Sequence, residues 1–235
     1  MTDISKKIVV DDRLKHIAFI MDGNGRWAKK RFLPREFGHK QGAQKFKEIV
    51  RYCGDIGLKA VTVYAFSTEN WKRPEREVNA LMEIFRSYID DFSREMMHYD
   101  IQFKFIGDLS RFDDAFQKKV AEVEEYTKDK HLRLNVAINY GGRAEIVHAF
   151  NKLLAEGKDK VTEQDISDAL YTAGCTDPDL IVRTGGELRI SNFLLWQAAY
   201  SEFYFTDTLW PDMSPKDVDE AVRAFYSRKR NFGGV

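Results

Sequence analysis

Short runs rich in β-branched and aromatic residues alternate along this chain with longer stretches whose apolar positions recur every three or four residues. The short runs fall at 16–21 (HIAFIM), 60–66 (AVTVYAF), 102–107 (QFKFIG), 133–138 (RLNVAI), 179–183 (DLIVR) and 203–206 (FYFT), and predict strands. The longer stretches fall at 40–56, 75–98, 111–127, 143–156, 163–172 and 215–228, and predict helices. Alternation of the two kinds along most of the chain predicts an α/β fold with a mostly parallel central sheet flanked by helices. No repeat, low-complexity tract or Pro/Gly-rich linker interrupts the pattern, so residues 1–235 are expected to form a single domain.

The stretch 75–98 has the strongest helical pattern. Val78, Leu81, Met82, Phe85, Ile89, Phe92 and Met96 share one face, which Ile84 and Tyr88 widen. Pro74, Glu75 and Glu77 suit a helix start. Such a face either packs into a core or walls a long apolar pocket, and periodicity alone does not separate the two.

Charge narrows the function. Lysine plus arginine equals aspartate plus glutamate, 37 of each, which argues against a general nucleic-acid binder. Cys53 and Cys175 are far apart and lack metal-site spacing, so a reducing cytoplasm is expected, with no disulfide framework. The opening MTDISKKIVVDD has no long apolar stretch, and no run approaches the length of a membrane span.

The chemistry sits where strands end. In open parallel sheets, ligands gather at the carboxyl ends of strands. The first strand runs into Asp22-Gly23-Asn24-Gly25-Arg26-Trp27 and then a basic helix. Glycines let backbone N–H groups approach an anion, and Arg26 offers a planar fork for phosphate oxygens. Asp22 would repel phosphate unless a divalent cation lay between them, and Mg²⁺ is commonly held by one or two carboxylates plus substrate phosphates. Two other readings stand beside this one. An ordinary tight turn with an aspartate cap fits the same residues. Gly23-x-Gly25-x-x-Ala28 also fits the loose dinucleotide fingerprint, but the next strand starts near Ala60, too late for the acid expected roughly 20 residues on.

The second strand ends in Ser67-Thr68-Glu69-Asn70-Trp71-Lys72-Arg73-Pro74, which suits either a polar substrate or a solvated helix cap. The fifth ends in Arg183-Thr184-Gly185-Gly186-Glu187-Leu188-Arg189-Ile190-Ser191, either a second anion cradle or a turn with surface arginines. Arg35 and His39 lie between the first two loops and could close over the same anion; a lone His is more often structural.

Taken together, HIAFIMDGNGRWAKK, FGHKQGA, YAFSTENWKRPEREV, LNVAINYGGRAEI, RTGGELRISNFLLWQ and YSEFYFTDTLWPD closely resemble the cis-prenyltransferases of the bacterial isoprenyl transferase type. The resemblance runs from about Leu14 to Gly234. It implies a homodimeric α/β fold with a hydrophobic tunnel beside the sheet. It also implies Mg²⁺-dependent, sequential addition of isopentenyl diphosphate to an allylic diphosphate, usually farnesyl diphosphate, giving a long Z-polyprenyl diphosphate such as the undecaprenyl carrier of cell-wall synthesis. The Asp-Asp pairs at 11–12, 90–91 and 113–114 lack the DDxxD spacing of trans-prenyltransferases.

By the same resemblance, Asp22 is the catalytic, Mg²⁺-linked aspartate, and Gly23, Asn24, Gly25, Arg26, Arg35 and His39 form the allylic diphosphate cradle, flanked by Trp27. Ser67, Thr68, Glu69, Trp71 and Arg73 are further substrate contacts. Arg183, Arg189, Ile190 and Ser191 hold isopentenyl diphosphate, and Glu202 is a second metal ligand. Leu188 stands where some relatives carry a His proposed to touch metal. Asn70 occupies the position assigned to proton acceptance; a carboxamide is a very poor base, so a positioning role is expected. Leu132 is expected at the far end of the tunnel and Ala65 nearer the reacting centre. The basic tail from Arg228 to Val235 is expected to act as an arm across the dimer axis, bringing Glu202 to the partner's site. With the cysteine usage and charge balance above, a cytoplasmic protein without a nucleic-acid partner is expected, touching the membrane only peripherally, through its lipid product. Some family members are non-catalytic accessory chains that lack the aspartate loop; this chain keeps Asp22, Arg26, Arg183 and Arg189.

Overall fold

Six strands and seven helices follow one another in the computed structural model, which describes residues 8–96 and 99–229. Residues 230–235 of the expected arm, and the side chains of Tyr88, Phe92 and Met96 on the predicted apolar face, lie outside the described residues. The strands are β1 (His16–Ile20), β2 (Ala60–Ser67), β3 (Ile101–Ile106), β4 (Leu132–Tyr140), β5 (Leu180–Arg183) and β6 (Glu202–Phe205). The helices are α1 (Asn24–Lys30), α2 (Arg35–Asp55), α3 (Glu75–Met96), α4 (Asp114–Thr127), α5 (Gly142–Ala155), α6 (Glu163–Ala169) and α7 (Pro215–Ser227).

The sheet order is β3-β4-β2-β1-β5-β6 and every pairing is parallel, where the sequence predicts a mostly parallel sheet. β1 is buried along its whole length, as a central strand covered on both faces must be. Its neighbours are β2 and β5, so the carboxyl ends of these three strands meet over one spot.

The main core packs β1, β2, β3 and β4 against α2, α3, α4 and α7 through Phe19, Ile49, Val61, Leu134, Val218 and Phe225. A second cluster on the other face gathers Ala18, Ile181, Tyr140 and Phe193. One buried polar chain crosses the sheet near the strands' amino ends. His16 donates from Nδ1 to the Thr176 carbonyl at 2.6 Å and accepts from the Thr62 hydroxyl at 2.8 Å, and Asn135 donates to Thr62 Oγ1 at 2.9 Å. Burial, more than any neighbour, pushes the His16 pKa down to about 4 and keeps the ring neutral.

Helix α2 begins at Arg35, earlier than the apolar period suggested, because Pro34 supplies a start that the hydrophobic pattern does not report. Among the described residues, no helix is long and apolar enough to cross a membrane.

Candidate active site

β1 delivers Asp22 to the centre of the site. Gly23 then turns the chain with φ 108°, and a Cβ there would lie 2.8 Å from Leu209 Cδ2, so both conformation and space demand glycine. Thr184, just after β5, clasps Asp22 by its backbone: its hydroxyl accepts from the Asp22 amide at 3.0 Å and donates to the Asp22 carbonyl at 2.7 Å.

The Asp22 carboxylate lies between two guanidinium groups. Arg183 Nη2 donates to Oδ2 at 3.0 Å, and Arg26 Nη2 lies 3.2 Å from Oδ1. Burial alone would raise the carboxyl pKa, but the hydrogen bond and charge of Arg183, then those of Arg26, outweigh it and hold the group below its ordinary value. Asp22 is therefore an anion at neutral pH.

Arg183 is itself 4% exposed, with Nη1 donating to Ser191 Oγ at 2.8 Å and also to the Arg189 carbonyl. Arg26 Nη1 donates to the Gly185 carbonyl at 2.5 Å. The double glycine does not offer the open backbone cradle expected of it. The Gly185 and Gly186 amides donate to the Thr208 and Thr206 carbonyls, each at 2.8 Å, so neither amide is available to an anion. Arg189 is exposed and, among the described residues, forms an ion pair with Glu187, weak enough to exchange for a stronger anion.

A second cationic group lies opposite. Arg73 Nη1 donates to Glu77 Oε1 at 2.7 Å, Arg35 Nη1 lies 3.2 Å from Glu77 Oε2, and His39 Nε2 is 3.9 Å from Oε1. His39 Nε2 is buried without a hydrogen-bond partner. Burial, then the charges of Arg73 and Arg35, drive its pKa down to about 4 against the pull of Glu77. His39 is thus a neutral donor at physiological pH and not a third cation. Glu77 lies in the first turn of α3, and Arg73, in extended backbone two residues before that helix, reaches it from the preceding turn.

These residues surround a cleft of about 620 Å³, whose wall includes Asp22, Asn24, His39, Ser67, Glu69, Asn70, Arg73, Arg183, Arg189 and Ser191. Arg35 lines a smaller adjoining hollow with His39 and Glu77. Asn70 Oδ1 accepts from the Ser67 amide at 3.1 Å, which fixes the turn after β2. Asn192, unread in the sequence, ties two loops by donating to Glu69 Oε1 at 2.9 Å and accepting from the Arg143 amide at 2.9 Å.

Other expected residues stand apart from the cleft wall. Gly25 makes room for Arg35, whose Nε would lie 2.7 Å from a Cβ there. Trp27 donates to Asp212 Oδ1 at 2.6 Å and carries Arg31 over its ring at 4.0 Å. Trp71 donates to Asn139 Oδ1 at 2.7 Å and packs edge-on to Phe66. Thr68 faces a separate hollow with Asp108 and Arg111, and Ile190 packs on the second core cluster. Glu202 is not brought to Asp22 within this chain. It pairs with Leu180 at the strands' amino end, whereas Asp22 follows Ile20, whose partner is Arg183. That register leaves the two acids roughly 15 Å apart along the strands at about 3.3 Å per residue. Glu202 instead accepts from Arg228 Nη1 at 2.7 Å.

The donor set fits a magnesium ion only in part-protein form. Among the described residues no cluster of three His, Cys, Asp or Glu side chains exists. Asp22 supplies one ionised carboxylate, whereas Asn24 Oδ1, buried without a partner among the described residues, lies against Gly42 of α2. One carboxylate in a phosphate-sized polar cleft suits Mg²⁺ that completes its shell with substrate oxygens and water.

Behind the cleft lies an apolar cavity of about 120 Å³ between the sheet and helices α2 and α3, walled by Phe46, Leu81, Phe85, Ile89, Phe103 and Val123 among others. Met21, Asn24, His39, Ala65 and Leu81 line both spaces, so polar cleft and apolar cavity share a wall. Leu132 is the first residue of β4, buried in the core, and is not among the cavity's lining residues.

Comparison with known proteins agrees with this architecture. Residues 20–233 match the family model described as "Putative undecaprenyl diphosphate synthase". The chain is 52% identical over 222 residues to the isoprenyl transferase of Fusobacterium nucleatum, covering 94% of this chain and 96% of that one. It is 46% identical over 241 residues to that of Clostridium perfringens, covering 99% and 95%. Its fold superposes on lavandulyl diphosphate synthase from Lavandula x intermedia, solved in complex with dimethylallyl diphosphate, with TM-score 0.90, 35% identity and coverage of 95% and 100%. A probable undecaprenyl diphosphate synthase from Campylobacter jejuni gives TM-score 0.80, 33% identity and coverage of 94% and 99%. A site built from an ionised aspartate, converging arginines and an adjoining apolar cavity thus lies in a chain that belongs to the isoprenyl transferase family, the prenyltransferases of the undecaprenyl diphosphate synthase type.

Proposed function

We propose that this enzyme elongates an allylic diphosphate, with farnesyl diphosphate as the usual starter, by repeated cis addition of isopentenyl diphosphate to a long Z-polyprenyl diphosphate of the undecaprenyl class. The observation that carries this reading is the wall shared by the polar cleft and the apolar cavity. A substrate with a diphosphate head and a prenyl tail spans both at once.

In this reading the allylic diphosphate lies against the Asp22–Arg26 loop and the Arg35–His39–Arg73 group. Its C–O bond breaks and the electron pair leaves with the diphosphate. Mg²⁺, when bound beside Asp22, supplies charge neutralisation at those leaving oxygens. Arg26 and Arg35 add fixed positive charge, and His39 adds a neutral N–H donor. The apolar wall keeps water from the electron-poor allylic carbon. Arg189 and Ser191 hold isopentenyl diphosphate, whose double bond supplies the electrons of the new C–C bond. The positive charge passes to the inner carbon of the former double bond, and a proton leaves the carbon on its diphosphate side, whose C–H electrons form the new double bond. Asn70 positions the group and a diphosphate oxygen accepts the proton, since the amide already caps its own turn.

We further read the enzyme as a homodimer. Val147, Phe150 and Leu154 form an exposed apolar stripe on α5, a face suited to a second copy. Incubation with farnesyl diphosphate, labelled isopentenyl diphosphate and Mg²⁺, followed by chromatographic sizing, tests the reading. Label is expected in a ladder of long lipids, and its absence from any lipid would reject prenyl elongation.

A further inference from the structure

The segment joining α1 to α2 combines two features that the reaction does not use. Phe32 is 97% exposed and Leu33 and Phe37 are 39% and 50% exposed, which gathers three large apolar side chains within six residues. Phe32 also adopts φ 56°, a left-handed conformation that bulky residues rarely hold. Around them, Lys29, Lys30, Arg31 and Lys40 add positive charge outside the proposed diphosphate-binding groups, in a chain whose total charge is zero. Arg31 is paired with Asp212 and Arg35 with Glu77, whereas no carboxylate partners Lys29, Lys30 or Lys40 among the described residues. Lys29 and Lys30 close α1 immediately before Phe32.

We infer that this segment docks on an anionic lipid surface, with Phe32, Leu33 and Phe37 entering the interfacial region and Lys29 and Lys30 reaching the headgroups. Aromatic and aliphatic side chains flanked by lysines whose stems are themselves apolar are the chemistry of interfacial anchoring. Unpaired lysines complement a negative leaflet. The placement also matters. Phe37 lies on α2 two residues before His39, and the same helix walls the apolar cavity with Ala43 and Phe46. Docking would thus bring the cavity's helix to the membrane that receives the product, a consequence that rests on the elongation reading.

Flotation of the full chain with vesicles tests the inference. One set contains phosphatidylcholine alone, the other a third phosphatidylglycerol, each at low and high salt. The chain is expected to float with the anionic vesicles, less so at high salt. The double variant Phe32→Ser, Leu33→Ser should lose at least tenfold in partitioning, and each of Lys29→Ala and Lys30→Ala about fivefold. Equal flotation with both vesicle types, or undiminished flotation of the variants, would overturn it. So would a change of oligomeric state in the Phe32, Leu33 variant without lipid, seen by sedimentation velocity, because the loop would then belong to an interface between copies. Elongation assayed in lipid-free solution is a separate readout; its failure with normal flotation rejects the elongation reading and leaves the docking surface standing.

Discussion

Asp22 and Arg183 meet across the seam between β1 and β5, Oδ2 to Nη2 at 3.0 Å, although 161 residues of chain separate them. The arginine is nearly inaccessible; its Nη1 donates to Ser191 Oγ and to the Arg189 carbonyl, while its Nε is buried without a partner among the described residues. Its hydrogen bond and charge hold the Asp22 carboxyl below its ordinary pKa, while the exposed Arg189 is paired with Glu187.

Asp22→Ala is expected to fold and to lose turnover by about a hundredfold or more, mainly in kcat, because the proposed site would lose the carboxylate that would hold Mg²⁺. Steady-state kinetics with saturating Mg²⁺, alongside a melting curve, check this. Near-normal turnover would remove Asp22 from the chemistry.

Product length should respond to the cavity wall. Ala65 lines both cleft and cavity, so Ala65→Leu should shorten the product. Phe103 lines the cavity and pairs with Leu134, whereas Leu132 pairs with Ile101 two residues further from the strands' carboxyl ends. Phe103→Ala is therefore expected to lengthen the chain first, and Leu132→Ala to lengthen it only once Phe103 gives way. Leu132→Ala should also cost about 2–5 kcal/mol of stability as a buried truncation. Chromatographic sizing of products and urea unfolding separate these effects; unchanged products from Ala65→Leu and Phe103→Ala would make this wall ordinary core.

Stability should fall in mild acid through His16. Its folded pKa of about 4 lies below the unfolded value of 6.5, so the unfolded chain binds the extra proton between them. Stability is complete above about pH 6.5, falls as pH drops, and levels off below about pH 4. One such group accounts for about 2 kcal/mol between pH 7 and pH 5. Urea unfolding at both pH values checks this. His16→Asn should flatten the dependence by that share, leaving the contribution of His39, which titrates in the same window.

Glu202 can reach an Asp22 only if the partner subunit supplies it. Asp22→Ala and Glu202→Ala chains, co-refolded at equal amounts, should then recover roughly a quarter of wild-type activity, since random pairing makes half the dimers mixed and each holds one intact site. No recovery, with mixed dimers confirmed by mass spectrometry, would confine Glu202 to its Arg228 contact.

Much of this site was legible in the sequence because its residues follow strands. Asp22, Ser67 and Arg183 each appear where an apolar run stops, and a parallel sheet brings those ends together. What stayed hidden are partners, since pairing depends on which strands become neighbours. Nothing local to Arg35 or His39 points to Glu77, and nothing near Gly185 shows that its amide belongs to Thr208. Leu132 and Trp71 show the same limit: an apolar residue beside a strand looks identical whether it faces a cavity or the core.

The position of β1 between β2 and β5 has a kinetic meaning. The wall of the cleft comes from segments near residues 22, 70 and 185, so no fragment or partly paired sheet assembles it. Turnover becomes a proxy for completed strand pairing. In a denaturant series, activity should vanish together with the global transition, and refolding chains should regain it only when β5, the last of the three to be made, has docked beside β1.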